Sequence, residues 1–333
     1  MRRHKLPHHI QKQLGYPLAR RFVGVFVGTI VLCLFVNVGL IRTWWAVMEH
    51  SSHRLLIHDV ERGYELTLPK QAKAGHPVPL VIFLHGTSMT AKIVKYRFGF
   101  DDVARKEGFA VAYPDGIGKR WNVIPPAAAP DSPQAADADA DIDFIVALAD
   151  ELVNKGVADA HRVYLAGLSG GGRMTLLMAC THPEKFAAVA PLLAMMPRMV
   201  SKYCKTAGPL PVLMMNSTDD LRVDLHGKTT GDPSRVYLSL KDSVGFWRRV
   251  NKCSDVMTKT AYPHLQPDDP TSLTSETYEC QAGTKVKLYL TEGGGHQTPT
   301  LTGDDLWTPM LGPRNHDVEA AEELWKFFAR YKR

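Results

Sequence analysis

The sequence predicts an α/β fold with a mostly parallel central sheet. Two observations predict it. Short continuous apolar runs recur at 80–84, 109–113, 163–166, 187–190 and 212–215, and a further strand-length run at 286–290 is broken only by Lys287, the pattern of strands buried on both faces of a parallel sheet. Helical patterns lie between them, and this alternation is the signature of strand–helix–strand units.

Taken in order, the chain opens on a basic arm. Residues 1–21 carry six bases and no acid, against totals of 40 Lys+Arg and 34 Asp+Glu, so the rest of the 333 residues is balanced. The basic charge therefore belongs to the arm. A nucleic-acid-binding fold would carry a basic patch on its own surface, and no nucleic-acid partner is expected. An uncharged run follows at 22–41. Twenty residues reach about 30 Å as a helix, roughly the hydrocarbon thickness of a bilayer. The run is longer than a signal-peptide core and no small-x-small site follows it. Arg42, Thr43, Trp44 and Trp45 come next, and a Trp pair suits a membrane interface. We read 22–41 as a transmembrane signal-anchor in the lipid bilayer, with the arm cytoplasmic and the following domain periplasmic or extracellular. A cleaved signal peptide, leaving a soluble exported protein, is the alternative.

Residues 42–60 read as a juxtamembrane linker and 61–333 as one catalytic domain. Gly63 to Leu68 alternates like an edge strand. Pro79 opens the first buried run. Residues 124–140, rich in Pro, Ala and Asp, read as an exposed loop or flap. Residues 139–153 read as a helix, with Asp139, Asp141 and Asp143 favourable at its start and Ile142, Ile145, Leu148 and Leu152 at helical spacing. Further helices are expected at 171–180, 236–250 and 318–331. Cys180, Cys204, Cys253 and Cys280 allow three pairings. In an exported protein they are expected as disulfides, and the most local pairing is Cys180–Cys204 with Cys253–Cys280. No C-x-x-C or nucleotide-binding motif is present, and no metal or cofactor is expected.

The motif richest in chemistry is Gly167-Leu168-Ser169-Gly170-Gly171. It follows the 163–166 strand and precedes a helical pattern, the arrangement that turns a serine outward on a tight strand-to-helix bend. A serine hydroxyl is a weak nucleophile near neutral pH and needs a base. In the α/β-hydrolase order an acid and then a histidine follow the serine. Asp219 and Asp220 lie just after the 212–215 strand, and His296 follows the last strand behind Gly293, Gly294 and Gly295. His226 and His316 lack that setting. An oxyanion hole needs an amide from the loop after an early strand. His85-Gly86-Thr87 ends such a strand, so the expected donors are the amides of Thr87 and Gly170.

These residues also carry a resemblance. VIFLHG at 81–86, GFAVAYPDGIGKRWN at 108–122, DIDFIVALADEL at 141–152, RVYLAGLSGGGRM at 162–174, FAAVAPLLA at 186–194 and GGGH at 293–296 resemble the polyhydroxybutyrate-depolymerase-like esterases. That α/β-hydrolase family includes feruloyl and acetylxylan esterases. The resemblance implies Ser169 as nucleophile and His296 as base. The family's H-G-T-x-D acid loop, laid on 216–220, implies Asp220 as the acid, with Asp219 next in line. The chain departs from the family in three places. Gly170 stands where many relatives have Asn or Gln, Thr87 where many have Cys, and Asn216-Ser217 where they have His-Gly. No linker or polymer-binding domain is expected after the last helix, so a smaller ester is expected rather than a solid polyester. The expected function is a serine esterase acting on a small carboxylic ester through an acyl-enzyme. A serine peptidase of the same fold and a depolymerase of short polyhydroxyalkanoate chains are the alternatives.

Overall fold

The computed structural model describes residues 51–333 apart from 73–75, 126–127, 129–132, 205–207, 232–234 and 303–304; the side chains of 133–138 are also left aside. The basic arm, the 22–41 run and residues 42–50 lie outside the described residues. Among the described residues no helix is long and apolar enough to cross a membrane.

The strands and helices are β1 (His53–Ile57), β2 (Val60–Thr67), β3 (Val78–Leu84), α1 (Ala91–Phe98), α2 (Phe100–Glu107), β4 (Ala110–Pro114), α3 (Pro133–Asn154), β5 (Ala158–Leu168), α4 (Gly170–Thr181), β6 (Ala188–Leu192), α5 (Arg198–Tyr203), β7 (Val212–Ser217), α6 (Leu240–Val250), β8 (Met257–Ala261), β9 (Ser272–Glu279), β10 (Lys285–Glu292), α7 (Thr308–Leu311) and α8 (Ala320–Phe328). They form one sheet in the order β1-β2-β4-β3-β5-β6-β7-β10-β9-β8. The run from β4 to β10 is parallel, and antiparallel strands extend it at both ends.

The continuous apolar runs are explained by packing on both faces. In β3, Leu80, Ile82 and Leu84 join one core with Leu148 and Leu152 of α3, Met174 of α4 and Trp247 of α6. Val81 and Phe83 join the other with Val94 and Phe98 of α1, Val103 of α2 and Leu324 and Phe328 of α8. Every residue of β3 is buried, so no polar face is needed.

The structure differs from the sequence reading in several places. Residues 53–57, read as linker, form the edge strand β1, so β2 is an inner strand paired on both sides. The 124–140 segment is not all loop, because α3 begins at Pro133. Proline is tolerated in a first helical turn, and alanine is the strongest helix former. Helices α1 and α2 were not anticipated. Gly99, at φ 72°, both ends α1 and begins α2, so neither eight-residue piece gives a long periodic signal. Strand β8 is exposed throughout and carries no apolar pattern.

Both disulfides pair as expected. Cys180–Cys204 joins α4 to the end of α5, and Cys253–Cys280 joins the residues after α6 to the end of β9, with Cα atoms 4.6 and 3.7 Å apart. Closing loops of this length contributes about 3–4 kcal/mol each in chain-entropy terms.

Candidate active site

The carboxyl ends of β3, β5, β7 and β10 lie along one edge of the sheet, because all four strands run in the same direction. That edge is where open α/β sheets bind ligands. The loops that leave it carry His85-Gly86-Thr87, Ser169-Gly170, Asp219-Asp220 and His296.

Ser169 sits between β5 and α4 at φ 54°, ψ −108°. A non-glycine residue held there costs on the order of 1–3 kcal/mol and persists only where its surroundings enforce it. They do so here. The Ser169 amide donates to Leu192 O at 2.8 Å, and the Arg173 amide to Ser169 O at 3.0 Å. The flanking glycines let backbones meet. A Cβ on Gly167 would lie 2.3 Å from Gly171 O, and one on Gly171 2.4 Å from Leu84 O. Ser88, Lys119 and Leu193, also at positive φ, surround the same edge.

Gly86 lies against Ser169: a Cβ there would be 3.6 Å from Ser169 Cβ. Thr87 N would be 3.2 Å from a Cβ on Gly170, which places the two expected oxyanion donors side by side. Neither amide donates to a protein acceptor among the described residues. His85 braces this loop. Its Nε2 accepts from the Gly116 amide at 2.9 Å and its Nδ1 donates to Gly86 O at 2.8 Å, while Trp121 Nε1 donates to His85 O at 2.9 Å. Burial pushes the imidazole below its usual pKa, against the opposing pull of the Gly86 carbonyl and the Asp115 charge. A neutral Nδ1–H tautomer is the form these partners require. Sequence reasoning did not identify this brace; the signal for it was a histidine placed directly after a fully buried strand.

His296 Nδ1 and Asp220 Oδ2 are 2.6 Å apart, with side-chain exposures of 10% and 2%. The other carboxylate oxygen accepts from the Arg222 amide at 2.7 Å and the Val223 amide at 2.9 Å. With donors converging on Asp220, the His296 Nδ1 carries the proton and Nε2 keeps its lone pair. Asp219 faces solvent and accepts from Thr218 Oγ1 at 2.7 Å. The acid and histidine loops are laced together by Asp219 N to Gly294 O at 3.0 Å and Gly293 N to Thr218 Oγ1 at 2.8 Å. From the far side, the His296 amide donates to Leu311 O and the Gly295 amide to Pro313 O. Neither rejected histidine meets this pair. His226 is exposed, and His316 bonds Thr300 O through Nδ1. No group of three or more His, Cys, Asp or Glu among the described residues could hold a metal ion.

Residues 62–196 match the family model Esterase PHB depolymerase. The chain carries an esterase PHB depolymerase domain. The matched stretch holds Thr87, Ser169 and Gly170 and stops before Asp220 and His296. Among curated relatives, NocK of Nocardia uniformis subsp. tsuyamanensis, named as an esterase, is 28% identical over 263 residues, 75% of this chain and 74% of that one. Feruloyl esterase B of Piromyces equi is 30% identical over 205 residues, 58% of this chain and 34% of that enzyme. Poly(3-hydroxyalkanoate) depolymerase C of Paucimonas lemoignei is 25% identical over 72% of this chain and 60% of its own. This chain thus spans about a third of the Piromyces equi enzyme's length. The solved acetyl xylan esterase from Aspergillus awamori superposes with a TM-score of 0.56 at 14% identity, over 83% of this chain and 98% of that one, and shows the shared α/β-hydrolase fold. The curated relatives are ester hydrolases, and this chain is an ester hydrolase like them.

Proposed function

We propose that this esterase PHB depolymerase domain hydrolyses small carboxylic esters with Ser169 as nucleophile, His296 as general base and Asp220 as the orienting acid. The observation that carries the reading is the 2.6 Å His296–Asp220 hydrogen bond at the sheet edge that also holds the strained Ser169.

The steps follow from the groups present. Ser169 Oγ attacks the ester carbonyl as His296 Nε2 takes its proton, and Asp220 stabilises the imidazolium that forms. The carbonyl oxygen becomes an oxyanion facing the amides of Thr87 and Gly170. The alcohol leaves with the proton from His296, and an acyl-enzyme remains. Water then attacks, with His296 again as base, releasing the acid and restoring Ser169. Leu221, beside Asp220, is exposed, as are Leu306, Trp307 and Met310 in the segment that braces the His296 loop. They supply apolar contact area for the organic part of an ester.

A fluorophosphonate probe should label the wild-type protein at Ser169, and p-nitrophenyl esters should be cleaved faster than aminoacyl amides. Amide cleavage at a matching rate would make the protein a peptidase instead. Rapid release of hydroxyacid monomers from short hydroxybutyrate oligomers, with p-nitrophenyl esters poor by comparison, would move the substrate to those chains.

We further infer that residues 22–41 anchor the protein in the plasma (inner) membrane, with the esterase outside the cytoplasm. The uncharged run supports the anchor. The two disulfides support an oxidising compartment. The full-length chain should stay with membranes through a high-salt wash and leave with detergent, because salt screens only the basic arm. A mature form beginning near residue 45 would overturn the anchor.

A further inference from the structure

Thr87 and Gly170, the two expected oxyanion residues, meet in space. A Cβ built on Gly170 would lie 2.5 Å from Thr87 Oγ1, 3.2 Å from Thr87 N and 3.6 Å from Thr87 Cβ. The hydroxyl and amide of Thr87 therefore both face Gly170, and the hydroxyl is the nearer. Any side chain at 170 would have to displace it, since real Cβ atoms do not approach a neighbour so closely. The bare glycine and the threonine hydroxyl form a matched pair.

The hydroxyl is also unused by the protein. Thr87 is exposed, and its Oγ1 makes no hydrogen bond among the described residues. Its backbone is held in place on both sides. Gly86 packs against Ser169, and the next residue, Ser88 at φ 68°, donates its amide to Lys119 O at 2.8 Å. The hydroxyl thus lies beside Gly170 and next to the Thr87 amide, the two residues whose backbone N–H groups are the expected oxyanion donors.

We propose that the Thr87 side chain is a catalytic residue, donating a third hydrogen bond, from Oγ1–H, to the oxyanion. The proposal rests on Ser169 being the nucleophile. As the Ser169 Oγ–carbon bond forms, the carbonyl π pair moves onto oxygen. The Thr87 hydroxyl donates to that oxygen and keeps its own proton, and the bond weakens again when the carbonyl re-forms. A donor aimed at charge that exists only in the transition state raises kcat rather than substrate affinity.

The test compares Thr87→Val, which keeps the amide and the shape but loses the hydroxyl, with Thr87→Ser, which keeps both donors. Removing one oxyanion donor costs on the order of 10²–10³ in kcat. Thr87→Val should lose kcat on p-nitrophenyl acetate to that extent, with KM unchanged. Its affinity for a trifluoromethyl ketone, a tetrahedral transition-state mimic, should fall in step, while Thr87→Ser keeps most of the activity and the affinity. Because position 87 is exposed, both variants should melt with the wild type. A Thr87→Val enzyme with near-wild-type kcat would overturn the proposal, and so would a loss confined to KM or one shared equally by Thr87→Ser. A wild-type protein that cleaves no ester, or a Ser169→Ala variant that still does, would defeat the esterase reading itself.

Discussion

Ser169→Ala is expected to lower kcat on short p-nitrophenyl esters by a factor on the order of 10⁴ or more, while the protein melts cooperatively as before. Loss of a triad nucleophile leaves only the background provided by the oxyanion donors and substrate binding. The fold should tolerate the change. Ser169 Oγ holds nothing in place; its backbone does that, through the amide to Leu192 O and the carbonyl from Arg173 N. The strain at φ 54° gives the same prediction a second readout. Ser169→Gly should be equally inactive but more stable than Ser169→Ala, because glycine adopts positive φ without the Cβ clash. An alanine variant that turns over esters at a near-wild-type rate would remove Ser169 from the chemistry altogether. A glycine variant less stable than the alanine one would mean that the elbow is not strained.

Parts of this site were legible in the sequence because they follow from local rules. The apolar runs mark strands covered on both faces, as β3 is by two cores. Glycines 167 and 171 mark a bend where backbones pass within contact of each other. What was not legible depends on contacts between distant segments. Nothing near His85 shows that Gly116 and Trp121 will close on it to fix the loop. Thr87 and Gly170 read as two separate departures until folding sets one against the other. The two-helix unit α1–α2 was hidden by Gly99, which splits a periodic stretch into pieces too short to stand out. The edge strand β1 was hidden because none of its residues is buried; pairing with β2 across the ladder holds it, not an apolar pattern of its own.

The choice between Asp219 and Asp220 is the sharpest case, since adjacent carboxylates in a turn differ in no composition or period. Their surroundings separate them. Asp220 is nearly enclosed and fixed by two backbone amides, with its remaining oxygen on His296. Asp219 points to solvent and holds Thr218. Asp220→Asn is therefore expected to lower kcat on p-nitrophenyl butyrate by a factor on the order of 10⁴, whereas Asp219→Asn stays close to wild type. The amide that replaces the carboxylate can turn its NH₂ toward His296 Nδ1. That nitrogen then accepts instead of donating, the ring proton moves to Nε2, and the ring can no longer take the proton from Ser169. The imidazolium would also lose its counter-charge. The two substitutions are nearly isosteric, so thermal melting should show both proteins folded and leave the rates to be compared directly. The opposite ranking would assign the acid to Asp219 and break the link between the 2.6 Å contact and the chemistry.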